Sequence, residues 1–340
     1  MANRSPMASV LVVGAGLAGL ACARVLAAAG LAVRVADKGR GPGGRLSTRR
    51  EGGFRFDHGG QYLTARDPGF ARLAEGWREE GIAAPWRGRI VRLRDGTVEE
   101  SPGERIVGVP GMSSLVAALA GPLPVAYGTR VAALEREGAG WRARTGDGGD
   151  LGRADLAVVA VPSPQAVPLL EAAPALAAEA ARARMAGCWA VMAAFGDGAE
   201  GPGWDAAFVA DGGPLSWVAR DGSKPGREAR GTWVLHGAAA WSEAQLEASP
   251  DAVARTLLAA FRGLTGIRAE PLHLSAHRWR HAIPTAPLAA GFLWDPATGL
   301  GACGDWCREA RGEAAFVSGR DLALRMLADM GIAPDPAALL

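Results

Sequence analysis

Val10 to Gly19, reading VLVVGAGLAG, constrains the fold more than any other stretch of the chain. Val10 to Val13 form a short apolar β-branched run, suited to a buried strand. The glycines that follow are spaced as a strand, a tight turn and a helix start require to hold a pyrophosphate. Gly14 permits the turn, Gly16 lets the backbone approach a phosphate, and Gly19 lets the new helix pack on the strand. Unpaired N–H groups and the helix dipole then favour an anion at that end. After a helical segment rich in Ala and Leu, a second apolar run, Ala32 to Ala36, ends at Asp37. That is about the spacing at which an acidic residue meets the ribose of a bound dinucleotide. Arg24, the recurring glycines and the lack of a small-residue cleavage site argue against a signal peptide or a membrane span over Val10 to Val33.

With 340 residues the chain suits one large or two medium domains and a sizeable core. Its net charge is only +2 and its Arg residues are scattered, so no nucleic-acid partner is expected. No other apolar run is long enough for a bilayer, and no membrane partner is expected either. Lys38 and Lys224 are the only lysines. Cys22 and Cys188 sit in apolar surroundings as expected buried thiols. Cys303 and Cys307 frame CGDWC, but no second Cys or His pair supplies further ligands, so no metal is expected. A reducing, cytoplasmic setting is the expectation from this cysteine usage.

Along the chain, Gly43, Gly44 and Arg45 follow the second strand, where glycines let the chain fold over a pyrophosphate and an Arg can neutralise it. Asp67 to Glu80 predicts an amphipathic helix, and Ile90 to Glu99 a hairpin around Asp95-Gly96. An apolar helix is expected to end near Gly121, followed by strands over Val125 to Leu134, Trp141 to Thr145 and Leu156 to Val161. A helix begins at about Gln165. Alternation in Ala206 to Ala210, Ser216 to Arg220 and Thr232 to His236 predicts an antiparallel sheet, and Ser249 caps a helix running to Phe261. The C-terminal part returns to nucleotide-site style, with a strand at Leu300 to Cys303, an end at Gly304-Asp305, and a helix from Glu313 to Leu327. Only the first few and last several residues look unstructured.

With nucleotide elements at both ends and in the middle, the layout resembles the two-domain flavoproteins of the amine oxidase superfamily, and within it the bacterial renalase family. The resemblance is carried by DKGRGPGGRLS (37–47), DHGGQYLTARD (57–67), WVARDGSKPGR (217–227), TWVLHGAAAWS (232–242), AHRWRHAIP (276–284) and CGDWCREARGEAAFVSG (303–319). It implies an α/β fold: a Rossmann-like FAD-binding domain, discontinuous over 8–70, 100–163 and 297–330. The substrate domain, 71–99 and 164–296, is built on an antiparallel sheet with helices.

The cofactor implied is FAD, held without a covalent bond. By the resemblance Leu17 and Ala18 lie at the phosphate turn, Asp37 with Lys38 meets the adenosine ribose, and Val131 offers its backbone to adenine. Arg45, beside Gly44, faces the pyrophosphate. Gly60, Gln61 and Tyr62 line the flavin ring, and Asp305 binds its ribityl or phosphate portion. The helix start at Glu313 and Ala314 points its N–H groups at the pyrimidine end of the flavin, where negative charge develops on reduction. The reaction implied is oxidation of 2- or 6-dihydro-NAD(P): hydride passes to flavin N5 and then to O2, giving NAD(P)+ and hydrogen peroxide. The partners are therefore the dihydronicotinamide dinucleotide and O2. Such chemistry needs ring stacking at near-attack distance more than acid–base help, in a pocket walled by aromatic residues with few charges.

Within that scheme His236 is the expected active-site donor, Tyr62 a flavin-facing wall and Trp279 an aromatic near the substrate. Asp221 stands where the family has Asn and is expected in an exposed Asp-Gly turn, Lys224 is expected in a loop with a solvated or substrate-phosphate role, and His58 replaces an apolar residue. Amine-oxidising relatives place a Lys late in the substrate region; AHRWRHAIP has none, which argues against amine oxidation. A flavin amine oxidase or desaturase for another small substrate, and a non-catalytic dinucleotide-binding protein, remain the two alternatives.

Overall fold

The computed structural model describes residues 8–196, 201–228 and 231–335; the ends read above as unstructured lie outside them. In the first sheet, β1 (Ser9–Val13) is central, with Val10 to Val13 all buried. It pairs in parallel with β2 (Ala32–Ala36) on one side and β13 (Leu156–Val159) on the other. Beyond these, β9 (Val125–Ala126) joins β2 in parallel, and β20 (Leu300–Ala302) joins β13 in parallel. An antiparallel edge strand, β19 (Leu293–Asp295), completes the order β19-β20-β13-β1-β2-β9. A central strand of such a sheet has both faces covered, so β1 is continuously apolar instead of alternating. α1 (Leu17–Ala28) and α8 (Gly312–Asp329) cross so closely that a Cβ on Gly319 would overlap the Ala18 carbonyl oxygen.

The strand expected over Val125 to Leu134 is two strands. Gly128 takes φ +70° and donates its N–H to Gly39 O at 2.7 Å, which turns the chain out of the first sheet. It continues as β10 (Val131–Glu137), antiparallel to β11 (Gly140–Thr145), which pairs in turn with β12 (Asp150–Ala154).

The second sheet runs β18 (His273–Ala286), β14 (Arg184–Phe195), β17 (Gly231–Gly237), β16 (Leu215–Arg220), β15 (Ala206–Val209), β6 (Ile90–Arg94) and β7 (Thr97–Glu100). Its pairs are antiparallel except β6 with β15, which is parallel. One face packs against α7 (Pro250–Thr265): Trp189, Val191, Trp233 and Leu235 form one apolar cluster with Val253, Leu257 and Phe261. Ser249 Oγ accepts from Ala252 N at 3.3 Å and Gly266 in the left-handed region ends this helix.

Residues on the other face alternate with those. Met192, Ala194 and Val234 pack against Phe56 from a hairpin of β3 (Thr48–Glu51) and β4 (Phe54–Asp57). The hairpin thus covers this face, and the segment after it carries Leu63 into the cluster that holds β1 and α1. Segment 71–99 divides. α2 (Pro68–Glu79), capped by Asp67 on Phe70 N at 2.9 Å, buries Phe70, Leu73 and Trp77 in the cluster that holds α1 and α8, whereas β6 and β7 extend the second sheet. A short ladder of β5 (Ala83–Pro85) with β8 (Ile106–Gly108), and helices α3 (Ser113–Ala120), α4 (Ser163–Leu169), α5 (Pro174–Arg182) and α6 (Ala239–Ala244), complete the elements. Among the described residues no helix is long and apolar enough to cross a membrane.

Candidate active site

The glycine turn has the tight geometry the sequence implies. Gly14 sits at φ +111°, and a Cβ there would come within 2.5 Å of Ala160 O. A Cβ on Gly19 would overlap Gly14 O, so helix and turn touch backbone to backbone. Gly16 differs: a Cβ there meets nothing within 4 Å, and no side chain caps α1, whose first turn has no acidic residue. Leu17 and Ala18 form that uncapped first turn. Gly44 sits at φ +51°, and a Cβ there would lie 3.8 Å from Gly16 Cα, so the GGR loop lies over the turn. The Asp37 carboxylate accepts from Ala15 N at 2.7 Å and from Gly39 N at 2.6 Å, which ties the two loops together. Lys38 extends instead to Gln165 Oε1 at 3.1 Å, and Val131 begins β10.

Arg45 and Asp305 are paired with each other. Arg45 donates to both Asp305 oxygens, at 2.7 and 2.6 Å, and to Ala282 O at 3.0 Å. A bidentate fork of this kind holds the guanidinium plane in one orientation. Gly60 N donates to Arg45 O at 2.8 Å, and Gly59 has no room for a Cβ against the same oxygen. The DHGGQY turn is thereby pressed onto the GGR loop. Next to it, Gly312 at the start of α8 abuts Leu63, and no side chain caps this helix either. Ala314 is buried in its first turn. The Glu313 carboxylate is turned away from the helix end: it accepts from Arg66 N, Asp67 N and Arg311, clamping the start of α2.

Four strands of the second sheet bring a row of side chains to the face opposite α7. Trp217 is opposite His236, His236 opposite Ala190, and Ala190 opposite His277. Register partners share a face, so Trp217, His236 and His277 flank a small Ala190. Tyr62 meets Trp217 with ring centroids 5.9 Å apart, while Arg105 lies 5.2 Å over the Tyr62 ring. Trp279 packs on His58 and His277, at 4.9 and 4.5 Å between centroids, and donates Nε1–H to His58 O at 3.0 Å. The structure therefore gathers His236, Tyr62 and Trp279 onto one wall, and adds Trp217, His277 and His58. His277 and Trp217 escape sequence reasoning, although period-2 spacing in His273, Ser275, His277 and Trp279 carries the signal.

The imidazoles of this wall are uncharged at neutral pH. Burial pushes His58 down to about 3, helped by the charges of His277 and Arg49. Burial likewise pushes His236 down to about 4, against a hydrogen bond to the His58 backbone. Its Nε2 is buried without a protein partner among the described residues. His58, which the sequence leaves without an account, is 4% exposed and bonds through Nδ1 to Ser47 O at 3.1 Å.

Two expectations fail here. Asp221 is not in an exposed turn and Lys224 is not in a solvated loop: they are 1% and 2% exposed. The DGS segment makes a 3-10 turn that drives both side chains inward. Lys224 Nζ bonds to Asp221 Oδ1 at 2.7 Å, Gln61 Oε1 at 3.1 Å and Asp57 Oδ2 at 3.4 Å. Arg227 also donates to Asp57, and Asp221 accepts from Asp57 N at 3.2 Å. Burial pushes Asp57 up, but Lys224, Arg227 and the Met112 N–H bring it below the usual carboxylate range. Asp221 goes the other way, raised chiefly by burial.

Cys22, Cys188, Cys303 and Cys307 are free and buried, and burial pushes the first two thiols up to about 12. Among the described residues no three His, Cys, Asp or Glu side chains converge as metal ligands. Two open clefts, of about 380 and 510 Å³, meet at Pro85, Arg87 and Gly88, away from both glycine loops.

Two glycine loops facing each other, with open space at Gly16 and two uncapped helix ends, fit a dinucleotide with a second ring system at its far end. A Rossmann-like sheet carrying these loops, joined to a second sheet, defines a two-domain dinucleotide flavoprotein. Residues 12–76 match the NAD(P)-binding Rossmann-like domain, and residues 94–323 match the flavin-containing amine oxidoreductases. The chain belongs to the flavin-containing amine oxidoreductase family, and its cofactor is FAD.

Among curated relatives, a neurosporene-forming phytoene desaturase of Rhodobacter capsulatus is 44% identical over 79 residues, 23% of this chain and 14% of that protein. A phytoene dehydrogenase of Streptomyces griseus is 48% identical over 64 residues, 19% and 13% of the two chains. The match thus spans about one seventh of either relative's length. Of solved structures, one described provisionally as a protoporphyrinogen oxidase of Exiguobacterium has a TM-score of 0.78 at 14% identity, covering 95% of this chain and 99% of that one. Cyclohexylamine oxidase of Brevibacterium oxydans gives 0.72 at 15% identity, covering 96% and 100%. At such identities the likeness is one of fold.

Proposed function

We propose that this flavoprotein oxidises isomeric dihydronicotinamide dinucleotides, 2- or 6-dihydro-NAD(P), with O2 as the final acceptor, as its resemblance to the renalase family implies. The substrate loses a hydride from the ring, which carries two electrons and one proton. O2 takes up these together with one further proton from solvent, and NAD(P)+ and hydrogen peroxide leave. Bound FAD supplies the hydride acceptor and the route by which the electrons reach O2.

The observation that carries the reading is the neutral aromatic wall of Trp217, His236, His277, Trp279 and Tyr62. A dihydropyridine needs no base to give up a hydride; it needs a flat apolar surface that holds the rings together. Ala190 puts only a methyl group between His236 and His277 in the row, so no bulky side chain separates the two imidazoles. His236, neutral near pH 7, offers an imidazole to the carboxamide. Asp57 and Asp221, by contrast, offer no free carboxylate to an alkylammonium substrate, because they are already bonded to Lys224 and, for Asp57, Arg227. In this scheme Gly14, Gly16, Gly19 and Arg45 retain the pyrophosphate, and Gly60, Gln61 and Tyr62 shape the ring site.

Anaerobic mixing of the yellow protein with 2- and 6-dihydro-NAD(P), and separately with amines, tests the reading. Rapid bleaching by the dihydro isomers alone is expected. Bleaching only by amines would overturn it in favour of an amine oxidase, and none by any donor would favour a non-catalytic dinucleotide-binding protein. His236→Ala is expected to slow bleaching by about tenfold, the worth of one hydrogen bond near 1.4 kcal/mol, without emptying the flavin site. Arg45→Ala is expected mainly to weaken FAD retention.

A further inference from the structure

Lys224 is one of two lysines in the chain, and it is buried with all three ammonium protons engaged. Its partners come from separate parts of the molecule. Asp221 is on the same 3-10 turn, at the end of β16, while Asp57 and Gln61 belong to β4 and the turn after it. The lysine therefore links the second sheet to the DHGGQY turn across 163 residues of sequence.

Gln61 shows what this link does. An amide has one carbonyl acceptor and two N–H donors. Both Gln61 donors are occupied by backbone carbonyls, those of Asp57 and Gly59. Its acceptor faces Lys224, which can only donate. The two carbonyls hold the N–H end of the amide and the ammonium holds its oxygen end, so Lys224 shares in setting which way the amide lies. The amide in turn fixes Gly59, which rests against Arg45 O and within 3.4 Å of Trp279 for an added Cβ. Tyr62 is the next residue along. Gln61 has no donor left for a ligand, so its part in lining the flavin is to hold the backbone around it.

We propose that Lys224 is a positioning residue: anchored by Asp221, its ammonium orients the Gln61 amide and so sets the turn, Gly59 to Tyr62, that faces the flavin. The inference rests on FAD as cofactor and does not depend on which donor reduces it. Lys224→Met alone would leave Asp221 and Asp57 short of a cation, with a risk of misfolding. The Lys224→Met/Asp221→Asn pair removes one cation and one acid together.

The test is a cycle on the FAD-loaded protein that combines this pair with Gln61→Leu. The readouts are the flavin midpoint potential by dye equilibration, its visible fine structure, and its rate of reduction. If Lys224 acts through Gln61, each change alone shifts the potential and slows reduction by about tenfold, and the combination adds nothing further. The proposal is overturned if the paired variant keeps the wild-type potential and spectrum, or if the two effects multiply. It is equally overturned if that variant loses FAD while Gln61→Leu retains it, since the lysine would then serve the fold alone. The potential needs no dihydronicotinamide, so failure of the proposed reaction is distinguishable from failure here.

Discussion

Asp57 accepts four hydrogen bonds through two buried carboxylate oxygens, from Thr48, Met112, Lys224 and Arg227. Thr48 and Met112 belong to the hairpin and the entry to α3, so the one side chain joins three separate segments. Asp57→Asn keeps the shape but leaves two buried cations with a single carboxylate partner. The expected loss is about 3–5 kcal/mol, as for breaking a buried pair from one side. The exposed Arg89–Glu100 pair has the same kind of chemistry with half or more of each side chain in water. Glu100→Gln is therefore expected to cost under about 1 kcal/mol. Denaturant unfolding of both variants checks the contrast; equal losses would mean that burial is not what gives the Asp57 cluster its weight. Asp221→Asn is expected to be milder than Asp57→Asn, because burial already pushes Asp221 toward its neutral form.

At the scale of elements, the α1–α8 crossing holds the glycine turn against the sheet. Gly319→Ala would drive a methyl into Ala18 O, and overpacking of this kind costs about 1–3 kcal/mol. Because Ala18 lies in the first turn of α1, lower FAD retention is expected along with the lower Tm. Gly263→Ala in α7 is the control. A Cβ there meets nothing within 4 Å, and the change is expected to be neutral or to stabilise by about 0.5–1 kcal/mol. Both are read by thermal melts and by flavin absorbance after gel filtration.

The elements most legible in the sequence are those whose signals are local: the turn at Gly14, the Asp67 cap of α2, and the Ser249 cap of α7. β14 is silent because nearly all of RMAGCWAVMAAF is buried, which removes the alternation that marks a strand. β18 is half-buried along most of its length, and Arg and His are spread through it, so no hydrophobic period marks it as a strand. Asp221 and Lys224 mislead for another reason. DGSKPG has turn chemistry and does make a turn, while its decisive partner, Asp57, is 167 residues away from Lys224. Of the site, His236, Tyr62 and Trp279 are readable one by one; their common wall depends on strand register, which only the fold supplies.

For the whole molecule, the buried imidazoles set a pH dependence with a definite sign. His58 and His236 are held at about 3 and about 4, and burial also lowers His277 and His281. The unfolded chain takes up these protons as pH falls through the ordinary value of 6.5, whereas the folded chain takes them up only at lower pH. Below 6.5 the unfolded state therefore binds more protons, and stability drops by about 1.4 kcal/mol per pH unit for each such proton. For His236 the loss levels off near pH 4, and for His58 near pH 3. Asp57 and Asp67, held below their usual 3.8, add a further loss only at lower pH as they take up protons. Between pH 6.5 and 4 the histidines should dominate. His58→Leu tests this at constant FAD, since bound cofactor itself raises stability with its concentration. The variant loses the bond to Ser47 O and is expected to melt lower than wild type at pH 7.5. Its Tm should then fall less steeply toward pH 4.5, so that the two curves converge. Parallel curves would mean that His58 takes up its proton in the folded state, and the wall around it would not be neutral.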